Sequence, residues 1–171
     1  PCVNNSDFNT NITGNNIYIG LVHISKLENK LANAIVDERT HNGKYTGLEN
    51  FIQRIRPGIE QLLLLVKVNA LRFTDKPKSQ LLWESHLLQK TNKQLPKAVR
   101  LFESRGKQYE LPTLMHNKLE DAYDEIELLG FPVSTTFFNM LKTDFRGEIR
   151  ACELDNMIGK RARMIGLLVT I

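Results

Sequence analysis

The chain has 171 residues, of which 42% are hydrophobic and 25% are charged, and this composition excludes a protein that is disordered throughout. Its formal net charge of +4 permits a nucleic-acid partner but does not require one. Two cysteines are too few for a disulfide scaffold and no apolar run is long enough to cross a membrane, so we expect a cytoplasmic protein without a membrane partner.

The first predicted helix starts at a capping-box pattern. In Ser25-Lys26-Leu27-Glu28 the serine would cap the first turn, while the glutamate reaches back to the N–H group of the serine. Asn42-Gly43 supplies a left-handed stop at the other end. Between these signals the apolar residues recur at helical spacing: Leu27, Leu31, Ala34 and Ile35.

Three further helices are predicted before the middle of the chain. Thr46-Gly47-Leu48-Glu49 is a second capping-box pattern, and the helix that it opens ends at Pro57-Gly58. A third helix begins at Ile59 and has Asn69 as its C-cap, and Pro77 suits the first turn of a fourth. Because the helices are short and the loops tight, the sequence predicts an all-α bundle with a β edge.

A fifth helix is predicted over residues 117–129, with Gly130 as its stop. Its inward face would carry Leu119, Ala122, Ile126 and Leu129. The remaining positions hold an acidic cluster, namely Glu120, Asp121, Asp124, Glu125 and Glu127. The cluster could be a metal site, but we favour a solvated helix face, because the apolar residues occupy the other side.

The segments on either side of the fifth helix have different patterns. Residues 89–115 are polar and basic, which indicates a linker. Residues 163–171 are predicted as a terminal strand. A strand needs a partner for its backbone groups, and the sequence does not show where this one pairs.

No set of catalytic residues is recognisable in the sequence. There is no glycine-rich phosphate loop with a lysine, and no cysteine or histidine pairs have zinc-site spacing. The four histidines are scattered, so we interpret each as a surface or boundary residue. Neither a catalytic nor a metal site is therefore predicted, and the isolated chain should have no activity that depends on two bound metal ions.

The segment Ile24-Ser25-Lys26-Leu27-Glu28-Asn29 suggests phosphate binding. Free backbone N–H groups at the start of a helix can bind a DNA phosphate, and Ser25, Lys26, Lys30 and Lys44 are the candidate contacts. The segment has no glycine, however, and Glu28 would repel a phosphate unless capping occupies its carboxylate. A turn that only packs is an equally good interpretation at this point.

Short motifs over nearly the whole chain point to one family. The clearest follows the first helix and consists of Gly43, Tyr45, Leu48, Glu49 and Phe51. The others, in order, are residues 1–6, Ile19-Gly20-Leu21, residues 62–70, Leu101-Phe102, Leu111-Pro112, residues 125–134 and residues 159–170. Each is weak alone, but their order and spacing resemble the helix-hairpin-helix region of the alpha subunit of bacterial DNA polymerase III, a C-family polymerase.

This resemblance implies a fold and a division of the chain. The fold would be mainly α, a helix-hairpin-helix bundle with a short β edge and the truncated start of an OB-fold. Residues 1–20 would lead in from the fingers region, with Ile19-Gly20-Leu21 as a strand before the hairpin. Residues 21–90 would form the helix-hairpin-helix domain, residues 91–158 a linker with packing helices, and residues 159–171 the first OB-fold strand.

The resemblance also implies a function. The chain would be a non-catalytic fragment of a replicative or error-prone DNA polymerase, a nucleotidyltransferase whose catalytic aspartates and Mg²⁺ belong to an upstream palm domain. No cofactor is therefore expected in this fragment. Its partners would be duplex DNA, bound weakly and without sequence preference, the rest of the polymerase chain, and the sliding clamp. Leu101-Phe102 is the clamp-binding candidate, with Ala98 in place of the usual glutamine, unless both residues belong to the core.

Departures from the family pattern keep other functions open. The hairpin lacks the usual glycines, as does the turn at Asn69-Ala70, and Thr135-Thr136-Phe137 stands where a His-Pro pair is common. The chain could therefore be a structural module that keeps the helix-hairpin-helix fold but has lost DNA contact. A stand-alone enzyme is a third class, disfavoured by the lack of convergent catalytic residues.

Overall fold

The computed structural model describes residues 1–93 and 117–168, without the side chains of residues 90–93. The chain divides into two compact units, Pro1–Phe131 and Pro132–Ile171. The described residues are mainly helical and include one small two-stranded sheet, which confirms the predicted mainly α fold with a short β edge. None of the helices in these two ranges combines the length and apolar character that a membrane span requires.

The β edge is a ribbon of two antiparallel strands, β1 (Asn11–Thr13) and β2 (Asn16–Tyr18). Ile12 lies opposite Ile17 in the register of the ribbon. Gly14 takes the first position of the two-residue loop with a φ of 60°, which glycine adopts without strain. The ribbon is therefore a tight β-hairpin whose turn depends on its glycine.

After the ribbon the chain turns back and contacts residues 7 and 8, which precede the ribbon. Leu21 donates its N–H to the carbonyl of Asp7 at 3.0 Å, and the short 3₁₀ helix Leu21–His23 begins there. A Cβ atom at Gly20 would stand 2.4 Å from the nearest backbone atom, so only glycine permits this approach. The strand predicted at residues 19–21 is wrong, because β2 ends at Tyr18 and these contacts turn the chain.

The next two helices are α1 (Asn29–Asn42) and α2 (Leu48–Ile55). Both lie where the sequence predicts helices, but neither predicted capping box forms. Glu28 and Gly47 are the N-cap residues, and neither makes a side-chain capping bond. The capping-box patterns therefore located the helices but misplaced their first residues.

Tyr45 organises the junction between α1 and α2. Its backbone N–H and carbonyl pair with the side-chain amide of Asn4 at 2.8 and 2.9 Å, and its hydroxyl donates to the carbonyl of Ile35 at 2.8 Å. The ring of Phe51 meets the Tyr45 ring edge-on at 5.0 Å, and the Arg54 guanidinium lies 4.5 Å from its centroid. Burial raises the pKa of Tyr45 to about 12. The sequence motif after α1 therefore has a structural role: its tyrosine and phenylalanine connect α1 to α2 by hydrogen bonds and ring packing.

Three further helices belong to the first unit, namely α3 (Ile59–Lys67), α4 (Lys78–Lys93) and α5 (Lys118–Leu129). The C-cap of α3 is Val68 rather than Asn69, which follows it with a φ of 56°. Pro77 immediately precedes α4, and its carbonyl accepts from the N–H of Leu81 at 3.1 Å. All three helices lie close to their predicted positions.

The inward face of α5 differs from the predicted one. Leu119 is 46% exposed, whereas Glu125 and Leu128 are buried together with Ala122 and Leu129. Asn117 caps the helix, since its side chain accepts from the N–H of Leu119 at 3.0 Å. Leu119 therefore lies in the capped first turn outside the core, and the predicted inward role for it is wrong.

The solvated-face interpretation of the acidic cluster is also wrong for its central members. The ammonium group of Lys78, on α4, lies 2.6 Å from the carboxylate of Asp121 and 2.9 Å from that of Asp124. Lys67, at the end of α3, lies 3.7 Å from Asp124. These carboxylates therefore hold α5 against α3 and α4. Within the described residues, no group of three or more acidic, histidine or cysteine side chains could hold a metal ion.

The core of the first unit draws on every helix from α1 to α5 and on the start of the chain. Its largest fully buried side chains are Tyr45, Phe51, Leu21, Ile35, Ile52, Leu62, Leu65, Leu71, Leu81, Leu128, Val3 and Val66. The lead-in residues thus share one core with the helices. Val3 is tied to the turn after α3, because its N–H donates to the Ala70 carbonyl at 3.0 Å.

The second unit contains two short 3₁₀ helices, Phe137–Met140 and Ala151–Met157. No residue from 132 to 168 is buried. The predicted terminal strand is not formed over residues 163–168, where Arg163 instead pairs with Glu148 through its side chain at 2.7 Å. Residues 169–171 lie outside the described residues, and the OB-fold assignment stays a prediction.

Asn4→Ala should destabilise the first unit. The substitution leaves the N–H and carbonyl of Tyr45 buried without partners, at about 1–3 kcal/mol for each group. We expect the free energy of unfolding in urea to fall by about 2–4 kcal/mol. Asn33→Ala makes the same change on the exposed surface of α1 and should have almost no effect. Equal behaviour of the two variants would contradict the role given to Asn4.

Candidate nucleic-acid interface

The candidate site is the hairpin loop, residues 24–28, which joins the 3₁₀ helix Leu21–His23 to α1. Ile24 is buried and Leu27 is half-buried, so the loop is anchored by its apolar residues. The N–H of Leu27 donates to the Ile24 carbonyl at 3.2 Å, which closes a tight turn. Lys26, at the corner of this turn, has a φ of 65°. The glycine-free sequence therefore still forms the hairpin, at a cost of about 1–2 kcal/mol for the left-handed residue.

Gln61, from the first part of α3, holds the loop in this shape. Its side-chain oxygen accepts from the N–H of Glu28 at 2.9 Å, and its side-chain nitrogen donates to the carbonyl of Lys26 at 3.1 Å. The Gln61 amide thus binds the carbonyl of Lys26 and the N–H of Glu28, the two residues that flank Leu27. We infer that Gln61 fixes the direction in which the chain enters α1.

The end of α5 contacts the other side of the loop. The N–H of Ser25 donates to the carbonyl of Leu128 at 2.7 Å, so this donor is already used within the protein. The ammonium group of Lys26 lies 3.5 Å from the carboxylate of Glu127. Ser25 therefore has a structural role at its backbone, and only its side chain is available to a ligand.

The start of α1 presents unused hydrogen-bond donors. Within residues 1–93 and 117–168, nothing accepts from the backbone N–H groups of Asn29, Lys30 or Leu31. Such groups carry the positive end of the helix dipole and favour an anion. The Lys30 side chain is exposed, and the structure gives it no ion-pair partner among the same residues. Glu28 is also exposed and makes no capping bond, so its carboxylate opposes an anion there.

The candidate contacts do not all lie together. Ser25, Lys26 and Lys30 lie at the start of α1, whereas Lys44 follows its other end. The 14 residues of α1 separate the two sites by about 21 Å at the usual helical rise. Lys44 instead donates to the side chain of Asn5 at 3.3 Å. The clamp-binding candidates Leu101 and Phe102 lie outside the described residues, as does Ala98.

A second turn shares a backbone feature with the hairpin loop, namely a left-handed residue three positions before a helix. Asn69 has a φ of 56°, and a 3₁₀ helix (Arg72–Thr74) begins three residues later. Lys26 likewise precedes the first residue of α1 by three positions. Asn69 and Ala70 occupy a turn that usually contains glycine in the polymerase family that the sequence resembles. Both turns therefore reach the left-handed region without a glycine.

Sequence patterns did not indicate that Gln61, Glu127 or Leu128 contacts the hairpin loop. Gln61 is 33 residues from its partner Glu28, and Leu128 is farther still along the chain from Ser25. Glu127 was singled out as a member of the acidic cluster, and residues 127 and 128 as part of the motif at residues 125–134. These residues act through long-range contacts, which local spacing does not report.

Gln61→Ala should loosen the hairpin loop while leaving the fold intact. Without the Gln61 oxygen, the N–H of Glu28 loses its partner and should exchange with solvent about tenfold faster, the factor that corresponds to one hydrogen bond. Amide hydrogen exchange followed by NMR measures this directly. Gln53→Ala removes an exposed amide on α2 and should leave the Glu28 exchange unchanged. Unchanged exchange in Gln61→Ala would contradict the assigned contact.

The first part of the chain matches the model of a known protein family. The model of the helix-hairpin-helix motif matches residues 1–81, which span the β-ribbon, the hairpin loop, α1 to α3 and the start of α4. No curated protein matches the chain. The predicted helix-hairpin-helix is thereby confirmed, and this motif suggests nucleic-acid binding.

Proposed function

We propose that the chain is the DNA-binding helix-hairpin-helix part of the alpha subunit of a bacterial C-family DNA polymerase. The observation that carries the proposal is the group of three unused N–H donors at the start of α1, with Lys26 and Lys30 beside them. Two further findings support it, namely the helix-hairpin-helix match and the ordered family motifs along the chain. The polymerisation chemistry and its Mg²⁺ ions would belong to a palm domain that these residues do not include.

The proposed contact is to the sugar-phosphate backbone. Backbone N–H groups and lysine side chains recognise a phosphate by its charge and carry no information about the bases. Binding should therefore be independent of sequence and sensitive to salt. It should also be weak, because Glu28 and Glu127 place two carboxylates near the two lysines.

Reversing the charge of the hairpin loop should weaken DNA binding. We expect Lys26→Glu/Lys30→Glu to lower the affinity for a short fluorescent duplex at least tenfold at low salt, for every duplex sequence alike. Fluorescence anisotropy across salt concentrations measures both affinity and slope. The slope of log affinity against log salt should be shallow, at about −0.9 per phosphate contact.

Lys44→Glu gives a matched control for this experiment. It reverses a charge at the opposite end of α1 and should have a much smaller effect than reversal of Lys30 alone. Equal losses would show that only the total charge of the protein matters. No binding by the unmodified chain at low salt would favour the alternative function, a structural module that keeps the fold without holding DNA.

A second proposal concerns the sliding clamp. Leu101-Phe102 is similar to the last two residues of a clamp-binding motif, and two adjacent apolar side chains can anchor a short segment in a pocket. If this is correct, Leu101→Ala/Phe102→Ala should abolish clamp binding and leave the melting temperature almost unchanged. Ala98→Gln should tighten clamp binding by restoring the amide of the motif.

The competing explanation makes the opposite prediction for stability. If Leu101 and Phe102 belong to the core, each truncation should cost about 2–5 kcal/mol and lower the melting temperature strongly. Calorimetry and surface plasmon resonance on the same double variant separate the two. A large loss of stability would reject the clamp-binding motif.

A further inference from the structure

The last turn of α5 is positioned to compete with DNA for the hairpin loop. We propose that the carboxylate of Glu127 acts as an internal substitute for a DNA phosphate at Lys26 and so keeps DNA binding weak. This inference rests on the proposed function, because it concerns the same loop. Its foundation is the contact between Glu127 and Lys26, at 3.5 Å from carboxylate to ammonium.

The ion pair can exchange partners without disturbing the core. The Lys26 side chain is 70% exposed and that of Glu127 is 57% exposed, so either can turn toward solvent. An exposed pair of this kind is weak and is screened by salt. A DNA phosphate carries the same single charge as the carboxylate but lies in a dense row of like charges, so it can displace the carboxylate from Lys26.

Glu127 itself is held close to the loop by its neighbours on α5. Leu128 and Leu129 are buried, and the Leu128 carbonyl accepts from Ser25 at 2.7 Å. One to two turns earlier, Asp121 and Asp124 bind Lys78, which fixes the helix against α4. The carboxylate of Glu127 is thus kept beside Lys26 by contacts that do not involve its own side chain.

The charges near the loop explain why one carboxylate matters. Lys26 and Lys30 contribute two positive charges, and Glu28 and Glu127 contribute two negative charges, so these four side chains sum to zero. The end of α5 adds the partial negative charge of a helix C-terminus. Neutralising Glu127 would leave a net positive loop and would release Lys26 for a phosphate.

The test is the affinity of Glu127→Gln for a short DNA duplex. We expect binding to tighten about three- to tenfold at low salt and the salt slope to steepen by about one, since one more lysine meets a phosphate. Glu120→Gln is the matched control, because it makes the same charge change on an exposed residue of the same helix. It lies seven residues away, or about 10 Å along the axis, and should raise the affinity clearly less than Glu127→Gln does.

A double-mutant cycle shows whether Glu127 acts through Lys26. In the background of Lys26→Met, Glu127→Gln should give a clearly smaller gain, since the residue that it releases is gone. Glu127→Ser provides a second removal of the carboxylate with a smaller side chain, and circular dichroism checks that each variant is folded. A gain of undiminished size in the Lys26→Met background would overturn the proposal.

The outcomes distinguish this inference from the function on which it rests. If the unmodified chain binds DNA and Glu127→Gln binds no more tightly than Glu120→Gln, the competition is refuted and DNA binding stands. If the unmodified chain and both glutamine variants fail to bind at low salt, the proposed function fails and the inference fails with it.

Discussion

The left-handed residue at the corner of the hairpin loop is the constraint on which the site depends. Lys26 has a φ of 65°, a conformation that costs a residue with a side chain about 1–2 kcal/mol. The loop keeps this shape because two distant helices hold it, α3 through Gln61 and α5 through Leu128. The direction of α1, and with it the position of the free N–H groups, is therefore set by the tertiary fold rather than by the local sequence.

This dependence explains how a hairpin without glycine remains a hairpin. Glycine would make the turn with little strain, and other residues need outside support. The hydrogen bonds of Gln61 and Leu128 supply that support at the loop, and the turn at Asn69 uses asparagine, which tolerates the left-handed region better than most residues. Both turns therefore form without glycine. Long-range hydrogen bonds stabilise the first, and an asparagine in the left-handed region allows the second.

Local patterns were sufficient for the helices but not for their starts or for the site. Periodic apolar residues and the stops at Asn42, Pro57 and Gly130 located α1, α2 and α5 well. The box at Ser25 failed because the Ser25 N–H bonds to Leu128, a partner that no local rule identifies. The same limit applies to the site: Lys26 and Lys30 were visible as charges beside a helix start, whereas Gln61 and Glu127 reach the loop only through folding. Asp121 and Asp124 were assigned to solvent for this reason too, since the lysine that pairs with them lies on another helix.

At the proposed phosphate site, lysine at position 26 would have two opposing effects on binding. It places an ammonium group beside the start of α1, which attracts an anion, but its side chain forces strain into a turn that glycine would accept freely. The ammonium group also attracts Glu127, whose carboxylate cancels much of the charge that Lys26 brings. A glycine loop would bind a phosphate through backbone N–H groups that need no side-chain charge. If the proposal is correct, the Lys26–Glu127 ion pair makes the affinity of the site for phosphate depend on the position of α5, which a glycine loop would not.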